Sequence, residues 1–283
     1  MNRASQGAID ELAEAVRASK KYAAVSDELI RSIGLRELAA RKSLKEAIKA
    51  TKNKLHQVAG AFFETQPPYP AWLELLAGAA TTDDGERRVS SKLNAQNSRL
   101  AEACREIMRH HASTRERLPI LDTFYATALA PLAPIGSVLD VACGLNPLAI
   151  PWMPLAPGAS YYACDIYADM VDFLSGFLRI AGVPGRAQVC DLLGGPPRQR
   201  VDLALALKIL PPLEQLDRNA GRDLLRALDA RHILVSFPAH SLGGRGKGMV
   251  EHYERRFRAM ADAEGWPVER FAFATELAFL VRK

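Results

Sequence analysis

The sequence predicts an α/β protein in which a Rossmann-like, mainly parallel sheet follows an all-helical N-terminal region. Two observations lead to this fold class. After about residue 132, short apolar segments of strand length alternate with longer amphipathic ones, which is the pattern of βαβ units. Before about residue 112, apolar side chains recur at helical spacing. We therefore expect a helical N-terminal domain over residues 1–112 and a second domain over residues 113–283.

The N-terminal region is expected to contain five helices. Residues 1–64 have the pattern of three helices, and the segment TQPPYP at residues 65–70 ends the third. Proline cannot continue a helix because it has no amide hydrogen and its ring blocks the preceding turn. Two more helices are expected at residues 71–80 and about 86–112, on either side of the turn-rich segment TTDDG.

The second domain is expected to contain five strands and a C-terminal hairpin. Its apolar segments are short and alternate with helical segments, of which residues 168–181 and 221–230 are two. Two β-rich runs on either side of residues 274–276 predict the hairpin over residues 269–282. The five strands are expected at residues 138–142, 161–166, 187–190, 203–207 and 233–237.

The composition limits the kind of protein this is. Of the 283 residues, 48% are hydrophobic, which is enough to bury a sizeable core. No apolar run approaches the ~20 residues of a membrane span, and the polar N-terminal segment lacks the apolar core of a signal peptide. The four cysteines form no CxxC pair. We therefore expect a cytoplasmic protein that binds neither a membrane nor a metal.

The first strand of the second domain leads into a loop that predicts a ligand site. The loop that begins at Ala142 contains a single glycine, Gly144. A dinucleotide-binding loop instead carries the motif GxGxxG, which binds a pyrophosphate. Asp165 ends the next strand about 25 residues after Asp140, the spacing of a carboxylate that accepts ribose hydroxyls, and Asp191 follows the third strand. One such aspartate is more often a turn or a helix cap. Three in series favour a nucleoside, and the missing phosphate cradle favours S-adenosyl-L-methionine over NAD.

A second candidate segment is STRER, at residues 113–117. Ser113 and Glu116 have the spacing of a capping box, which predicts that a helix begins at Ser113. The free amides of its first turn, with Arg115 or Arg117, would hold the carboxylate of methionine. Taken alone, this pattern is a common helix start and such an arginine is usually solvated. The neighbouring strand motif is what favours a binding role.

Basic residues predict a nucleic-acid partner. Residues 1–60 carry 12 basic and 7 acidic side chains, so their net charge of +5 equals that of the whole chain. Lys45, Lys49 and Lys52 recur at helical spacing, although a basic helix face is usually just a solvated surface. Arg245 and Lys247 lie in a glycine-rich loop after the fifth strand. Two basic elements beside one pocket indicate a surface that binds the phosphate backbone of a nucleic acid.

Several motifs, in this order, resemble those of the aminoglycoside-resistance 16S rRNA (guanine-N7) methyltransferases. The resemblance covers most of the chain and includes HASTRERLP at residues 111–119 and DVACGLNPLAIPWM at residues 140–153. LALKILPPLE at residues 205–214 and SLGGRGKGM at residues 241–249 also match. The resemblance implies a class I, Rossmann-like methyltransferase that uses S-adenosyl-L-methionine. Its implied substrate is N7 of a guanine in the decoding site of 16S rRNA, within the assembled 30S subunit, and its implied effect is aminoglycoside resistance.

The resemblance also implies roles for individual residues. Lys208, after the fourth strand, occupies the position where many base methyltransferases place a polar group that orients the substrate, although a lone lysine at a strand end is about as often a surface residue. Met249 could supply an apolar contact near the target base. Besides Gly144 of the loop, the implied cofactor contacts are Phe62, His111, Ala112, Ser113, Thr114, Arg115, Glu116, Arg117, Ala142, Asp165, Asp191, Leu192 and Leu207.

Three functional classes remain open at the level of sequence. The first is the monomeric rRNA methyltransferase that the resemblance implies. The second is a methyltransferase for a small molecule, in which the basic helices and loop would have no evident purpose. The third is a non-catalytic RNA-binding protein that retains the fold. Affinity for S-adenosyl-L-methionine separates the third class from the other two, and a requirement for RNA separates the first from the second.

Overall fold

The computed structural model describes residues 3–58, 67–81, 99–239 and 248–283. The strands are β1 (Ile135–Val141), β2 (Leu155–Asp165), β3 (Gly185–Val189), β4 (Val201–Leu207), β5 (Ala230–Pro238), β6 (Val268–Ala272) and β7 (Glu276–Arg282). The helices are α1 (Arg3–Arg17), α2 (Asp27–Ala40), α3 (Leu44–Val58), α4 (Tyr69–Ala80), α5 (Arg99–Met108), α6 (Ala112–Arg117), α7 (Leu121–Ala128), α8 (Ala168–Ala181), α9 (Leu210–Leu216), α10 (Ala220–Ala227) and α11 (Met249–Glu264).

The seven strands form one sheet in the order β3-β2-β1-β4-β5-β7-β6. Strands β1 to β5 pair in parallel, and β7 pairs antiparallel with both β5 and β6. The predicted α/β fold is thereby confirmed, as are the five strands and the C-terminal hairpin. The strand order reverses between β1 and β4, and the carboxyl ends of strands at such a reversal leave a crevice where ligands bind.

The first three helices pack on one another. Buried side chains of α1, α2 and α3 share one apolar cluster, which includes Leu12, Ile30 and Leu55. The Oγ of Ser26 accepts a hydrogen bond from the amide of Leu29 at 3.1 Å and so caps the start of α2. This cluster also contacts Tyr167, which lies just after β2. The N-terminal helices therefore lie directly against the carboxyl edge of the sheet.

Helices α4 and α5 pack on one face of the sheet, together with α8. Their buried side chains share a cluster with those of β1 and α8, and the ring of Tyr69 stacks on that of Phe173 with centroids 5.1 Å apart. The division of the chain at residues 112 and 113 stays a prediction. Any such division has to accommodate α4 and α5 in the same core as the sheet.

One local expectation needs correction. The helix expected to run through residue 112 ends at Met108, and the chain restarts as α6 at Ala112. The hydroxyl of Thr114 donates to the carbonyl oxygen of Met108 at 2.7 Å, which satisfies an acceptor at that helix end. Helix α9 contains Pro211 and Pro212 in its first turn, where proline is tolerated. Within the described ranges, no helix is long and apolar enough to span a bilayer.

Candidate active site

A pocket opens at the carboxyl ends of β1 and β4, where the strand order reverses. It encloses about 910 Å³ of empty space, part of it open to solvent. Apolar side chains of α2 and α9, among them Leu29 and Leu213, form part of its wall. The predicted site residues that line it are His111, Ser113, Arg117, Ala142, Gly144, Asp165, Asp191, Leu192, Leu207 and Lys208.

The loop after β1 is held in an unusual conformation. Ala142 has a φ of 48° and Gly144 a φ of 51°, both in the left-handed region. The amide of Gly144 donates to Oδ2 of Asp165 at 2.8 Å, which fastens the loop to the end of β2. A Cβ on Gly144 would lie only 2.6 Å from Cε1 of His111. The glycine is therefore required by the close approach of the imidazole as well as by the backbone.

Asp165 and Asp191 lie at the pocket edge with acceptor capacity to spare. Oδ1 of Asp165 accepts from the amide of Ile166 at 2.7 Å, and Oδ1 of Asp191 accepts from the amide of Leu193 at 2.9 Å. Burial raises the pKa of both carboxyl groups, against the lowering effect of these backbone donors. A carboxylate offers about four lone-pair sites, so each remains able to accept further hydrogen bonds from a ligand.

A buried polar network lies beneath the pocket. Oδ2 of Asp140 accepts from Nδ2 of Asn146 at 2.8 Å and from the hydroxyl of Tyr161 at 2.7 Å. Oδ1 of Asn146 accepts from Nη1 of Arg117 at 2.6 Å and from the hydroxyl of Tyr125. Burial raises the pKa of Asp140 to about 7, although its hydrogen bonds and Arg117 act against the rise.

The network continues through an ion cluster that joins three elements. Arg117 of α6 pairs with Glu276 of β7 at 2.8 Å, and both side chains are almost fully buried. Lys208, directly after β4, pairs with Glu276 at 3.2 Å and with Glu116 at 2.8 Å. Burial alone would raise the pKa of Glu276, but the Arg117 and Lys208 cations lower it below its usual value. Breaking such a cluster is costly, because it leaves a buried charge without a partner.

Lys208 is a buried residue, so the alternative hypothesis of an ordinary surface lysine is wrong. Its side chain is only 8% exposed, and its Nζ also donates to the carbonyl oxygen of Ser113 at 3.2 Å. Its φ of 60° lies in the left-handed region, which is uncommon for a residue other than glycine. The surrounding contacts hold this strained backbone in place. Its role in orienting the substrate stays a prediction.

The capping box predicted for STRER is wrong. Helix α6 begins at Ala112 with His111 as the residue before it, so Ser113 already lies within the helix. Glu116 pairs with Lys208 because the buried ammonium attracts its carboxylate. Of the two candidate arginines, Arg117 lines the pocket and Arg115 is exposed. Four residues predicted to contact the cofactor lie outside the pocket lining: Ala112, Thr114, Arg115 and Glu116.

His111, the residue before the first turn of α6, is a neutral imidazole. Burial, reinforced by the Lys208, Arg117 and Arg115 cations, lowers its pKa to about 3. The imidazole is therefore uncharged at every pH at which the protein is expected to work. Its contact with Gly144 is a steric contact and involves no charge.

Sequence reasoning missed several residues of the site. Glu276 anchors both Arg117 and Lys208, yet it lies more than 150 residues from Arg117 in the chain. The only signal for it is a carboxylate that begins the apolar segment ELAFLV. Leu29 and Tyr167 also line the pocket, and nothing in their local sequence distinguishes them from ordinary core residues.

The predicted RNA-binding residues are placed in part. On α3, Lys45 and Lys49 are exposed, whereas Lys52 is half-buried and its Nζ donates to Oγ of Ser19 at 2.8 Å. Met249, half-buried, begins α11. Phe62, Arg245 and Lys247 lie outside the described residues.

The described parts of the chain contain no evident metal site. No group of three or more histidine, cysteine, aspartate or glutamate side chains there could hold a metal ion. The expectation of a metal-free protein stays a prediction.

Comparisons with known proteins agree with this geometry. A family model described as "Ribosomal RNA methyltransferase (FmrO)" matches residues 18–280. A curated 16S rRNA (guanine(1405)-N(7))-methyltransferase of Frankia casuarinae is 39% identical over 279 residues, covering 98% of this chain and 94% of the relative. The crystal structure of the 16S rRNA methyltransferase RmtF with S-adenosyl-L-homocysteine matches with a TM-score of 0.79 and 32% identity, covering 100% and 99% of the two chains. The 16S rRNA methylase RmtB matches with a TM-score of 0.76 and 30% identity, covering 97% and 98%.

Proposed function

This chain belongs to the ribosomal RNA methyltransferase (FmrO) family, and on that premise we propose that it methylates N7 of a guanine in the decoding site of 16S rRNA. The methyl donor is S-adenosyl-L-methionine. The observation that carries the proposal is the pocket at the strand reversal, where Asp165 and Asp191 lie beside a one-glycine loop and the buried cation of Arg117. The other residues of the pocket hold these groups in position and form its walls.

The residues present fit this cofactor. We expect Asp165, at the end of β2, to accept hydrogen bonds from the ribose hydroxyls, and Asp191 to accept one from the adenine amino group. Leu192 and Leu207 supply apolar wall on which a purine can lie. In the loop after β1, the amides of Cys143 and Gly144 already donate to Cys164 and Asp165, so they are not available to a pyrophosphate and the pocket favours a ligand without phosphates.

Arg117 is the residue of α6 that we expect to face the methionine carboxylate. Its guanidinium lines the pocket and is held in one orientation by Glu276, Asn146 and Tyr125. A planar guanidinium fixed in this way is suited to pairing with a carboxylate. The other contacts carried over from the family, Ala112, Thr114, Arg115 and Glu116, would act through the position of α6.

The chemistry requires little of the protein beyond placement. S-adenosyl-L-methionine supplies an electrophilic methyl group on a sulfonium centre. Guanine N7 has an in-plane lone pair and no proton at neutral pH, so it needs no general base. The chain must therefore hold the base in line with the methyl group and exclude water. A base that enters this recessed pocket has to leave its stack first.

The substrate is proposed to be the assembled 30S subunit, bound by a monomer in the cytoplasm. The exposed Lys45 and Lys49 of α3, with Arg245, Lys247 and Met249 near the start of α11, are the proposed rRNA contacts. Such contacts read a phosphate surface and its shape, which a folded particle presents and a naked strand does not.

Tritiated methyl transfer tests this proposal. The protein is incubated with labelled S-adenosyl-L-methionine and intact small subunits, naked 16S rRNA or transfer RNA. We expect label in intact subunits only. Label in naked 16S rRNA alone would overturn the assembled-subunit proposal. Cofactor binding with no label in any RNA would favour a small-molecule methyltransferase, and no cofactor binding would favour a non-catalytic RNA-binding protein.

A further inference from the structure

A second recess, separate from the cofactor pocket, lies between α9, α10 and α11. It encloses about 600 Å³ of empty space, part of it open to solvent. Phe237, at the end of β5, and Tyr253 of α11 line it, and their rings stack with centroids 4.9 Å apart. We refer to it as the arginine recess, because Arg218, Arg222 and Arg256 also line it.

The charges in the arginine recess do not balance. Arg256 pairs with Glu214 at 2.8 Å, which accounts for the carboxylate that lines the recess. Among the described residues, Arg218 forms no ion pair. Arg222 forms only a long ion pair with the exposed carboxylate of Asp223, at 3.9 Å, and its charge also acts on the carboxylate of Glu264. Two guanidinium groups therefore leave a local excess of positive charge.

Arg222 also has an unsatisfied donor. Its Nε has no hydrogen-bond partner among the described residues, although the side chain as a whole is 41% exposed, and its Nη2 donates to Oδ1 of Asn219 at 3.2 Å. A donor without an acceptor in the protein is free to bind a ligand or water. A guanidinium fixed beside a second one matches the oxygens of a phosphate group.

The arginine recess and the cofactor pocket share helix α9. Ile209, Leu213 and Leu216 face the cofactor pocket, whereas Leu210 and Glu214 face the arginine recess. The two cavities thus lie on different faces of one helix, roughly 10 Å apart. That separation is short enough for one nucleic-acid strand to reach both.

We propose that the arginine recess binds a backbone phosphate of the rRNA strand whose guanine enters the cofactor pocket. This inference rests on the proposed function and adds a contact to it. Arg218 and Arg222 would hold the phosphate, and α9 would set the distance between that phosphate and the reacting base. The ligand chemistry is a phosphodiester, read through charge and not through sequence.

The test compares Arg218→Ala/Arg222→Ala with the wild-type protein in steady-state methylation of intact small subunits. We expect KM for subunits to rise about tenfold, with kcat and the Kd of S-adenosyl-L-homocysteine unchanged. The slope of log KM against the logarithm of the salt concentration should decrease by about one to two, because two phosphate-binding cations are lost. Arg222→Lys, which keeps the charge, should recover part of the affinity. Arg231→Ala, an exposed arginine at the opposite end of β5, is the matched control and should change none of these values.

The failure of this inference can be told apart from that of the proposed function. If the wild-type protein labels no rRNA, the proposed function fails and the inference with it. If the wild-type protein methylates subunits and the double variant has the same KM and salt dependence, only the inference is overturned. Titration with inorganic phosphate covers the other source of the same chemistry. Binding of free phosphate that the double variant loses, with KM for subunits unchanged, would also overturn it.

Discussion

Gly144 shows how a single missing side chain shapes the site. A methyl group there would meet the imidazole of His111, and the φ of 51° would be strained besides. We predict that Gly144→Ala destabilises the protein by roughly 2–4 kcal/mol and weakens cofactor binding, because overpacking adds to backbone strain. Denaturant unfolding and calorimetry with S-adenosyl-L-homocysteine measure both effects.

Gly158 provides the matched control. Its φ is 75°, and a Cβ there would have no atom within 4 Å. Gly158→Ala should therefore carry the backbone strain alone, about 1 kcal/mol, with cofactor affinity unchanged. Equal effects of the two substitutions would mean that the His111 contact does not matter.

Asp140 predicts a particular pH dependence of stability. With a pKa of about 7 in the folded protein and about 4 in the unfolded chain, it makes the folded state bind one more proton between these values. The free energy of unfolding should therefore fall as pH rises through this window, by up to about 1.4 kcal/mol per pH unit. Urea unfolding at pH 5, 6, 7 and 8 tests this against Asp140→Asn, which keeps an acceptor for Tyr161. A difference between the two proteins that stays constant with pH would contradict the assignment.

At the scale of elements, Lys208 connects the end of β4 to α6 and β7. Because its ammonium contacts the carbonyl oxygen of Ser113 and the carboxylate of Glu116, we predict that Lys208→Ala loosens α6 and weakens S-adenosyl-L-homocysteine binding about tenfold. Calorimetry gives the affinity, and kcat at saturating cofactor gives any separate effect on the substrate. Unchanged affinity with a reduced kcat would instead assign Lys208 to the rRNA substrate alone.

Lys283 is the control for that substitution. Its Nζ donates to the carbonyl oxygens of Leu225, Arg226 and Leu228 at the end of α10, away from the pocket. Lys283→Ala should cost about 1 kcal/mol of stability through these lost hydrogen bonds and leave the cofactor affinity intact.

The elements also show what the sequence could and could not predict. Buried parallel strands such as β4, with VDLALAL, carry a strong local signal, and the hairpin of β6 and β7 follows from two β-rich runs. The site depends on contacts between distant residues. Glu276 meets Arg117 across 159 positions, and Glu116 bonds Lys208 instead of capping its own helix. A local pattern such as S-x-x-E carries no information about a buried cation that competes for its carboxylate.

For the whole molecule, we expect methylation to lower the susceptibility of a cell to aminoglycosides. Methylation of N7 places a fixed positive charge on a decoding-site guanine, where cationic aminoglycosides bind. Expression of the protein in a susceptible bacterium should raise the inhibitory concentration of these drugs. Asp165→Asn, expressed at the same level, should not, because it weakens the proposed acceptor of the ribose hydroxyls. Equal resistance from both proteins would contradict the role of Asp165.

The decisive measurement is the position of the methyl group on the rRNA. 16S rRNA from intact small subunits, treated with the protein and S-adenosyl-L-methionine, is reduced with borohydride and cleaved with aniline, which breaks the strand at N7-methylguanine. We expect cleavage at one guanine of the decoding site, and no cleavage when the cofactor is omitted. Cleavage elsewhere, or label in the rRNA without any cleavage, would contradict this prediction.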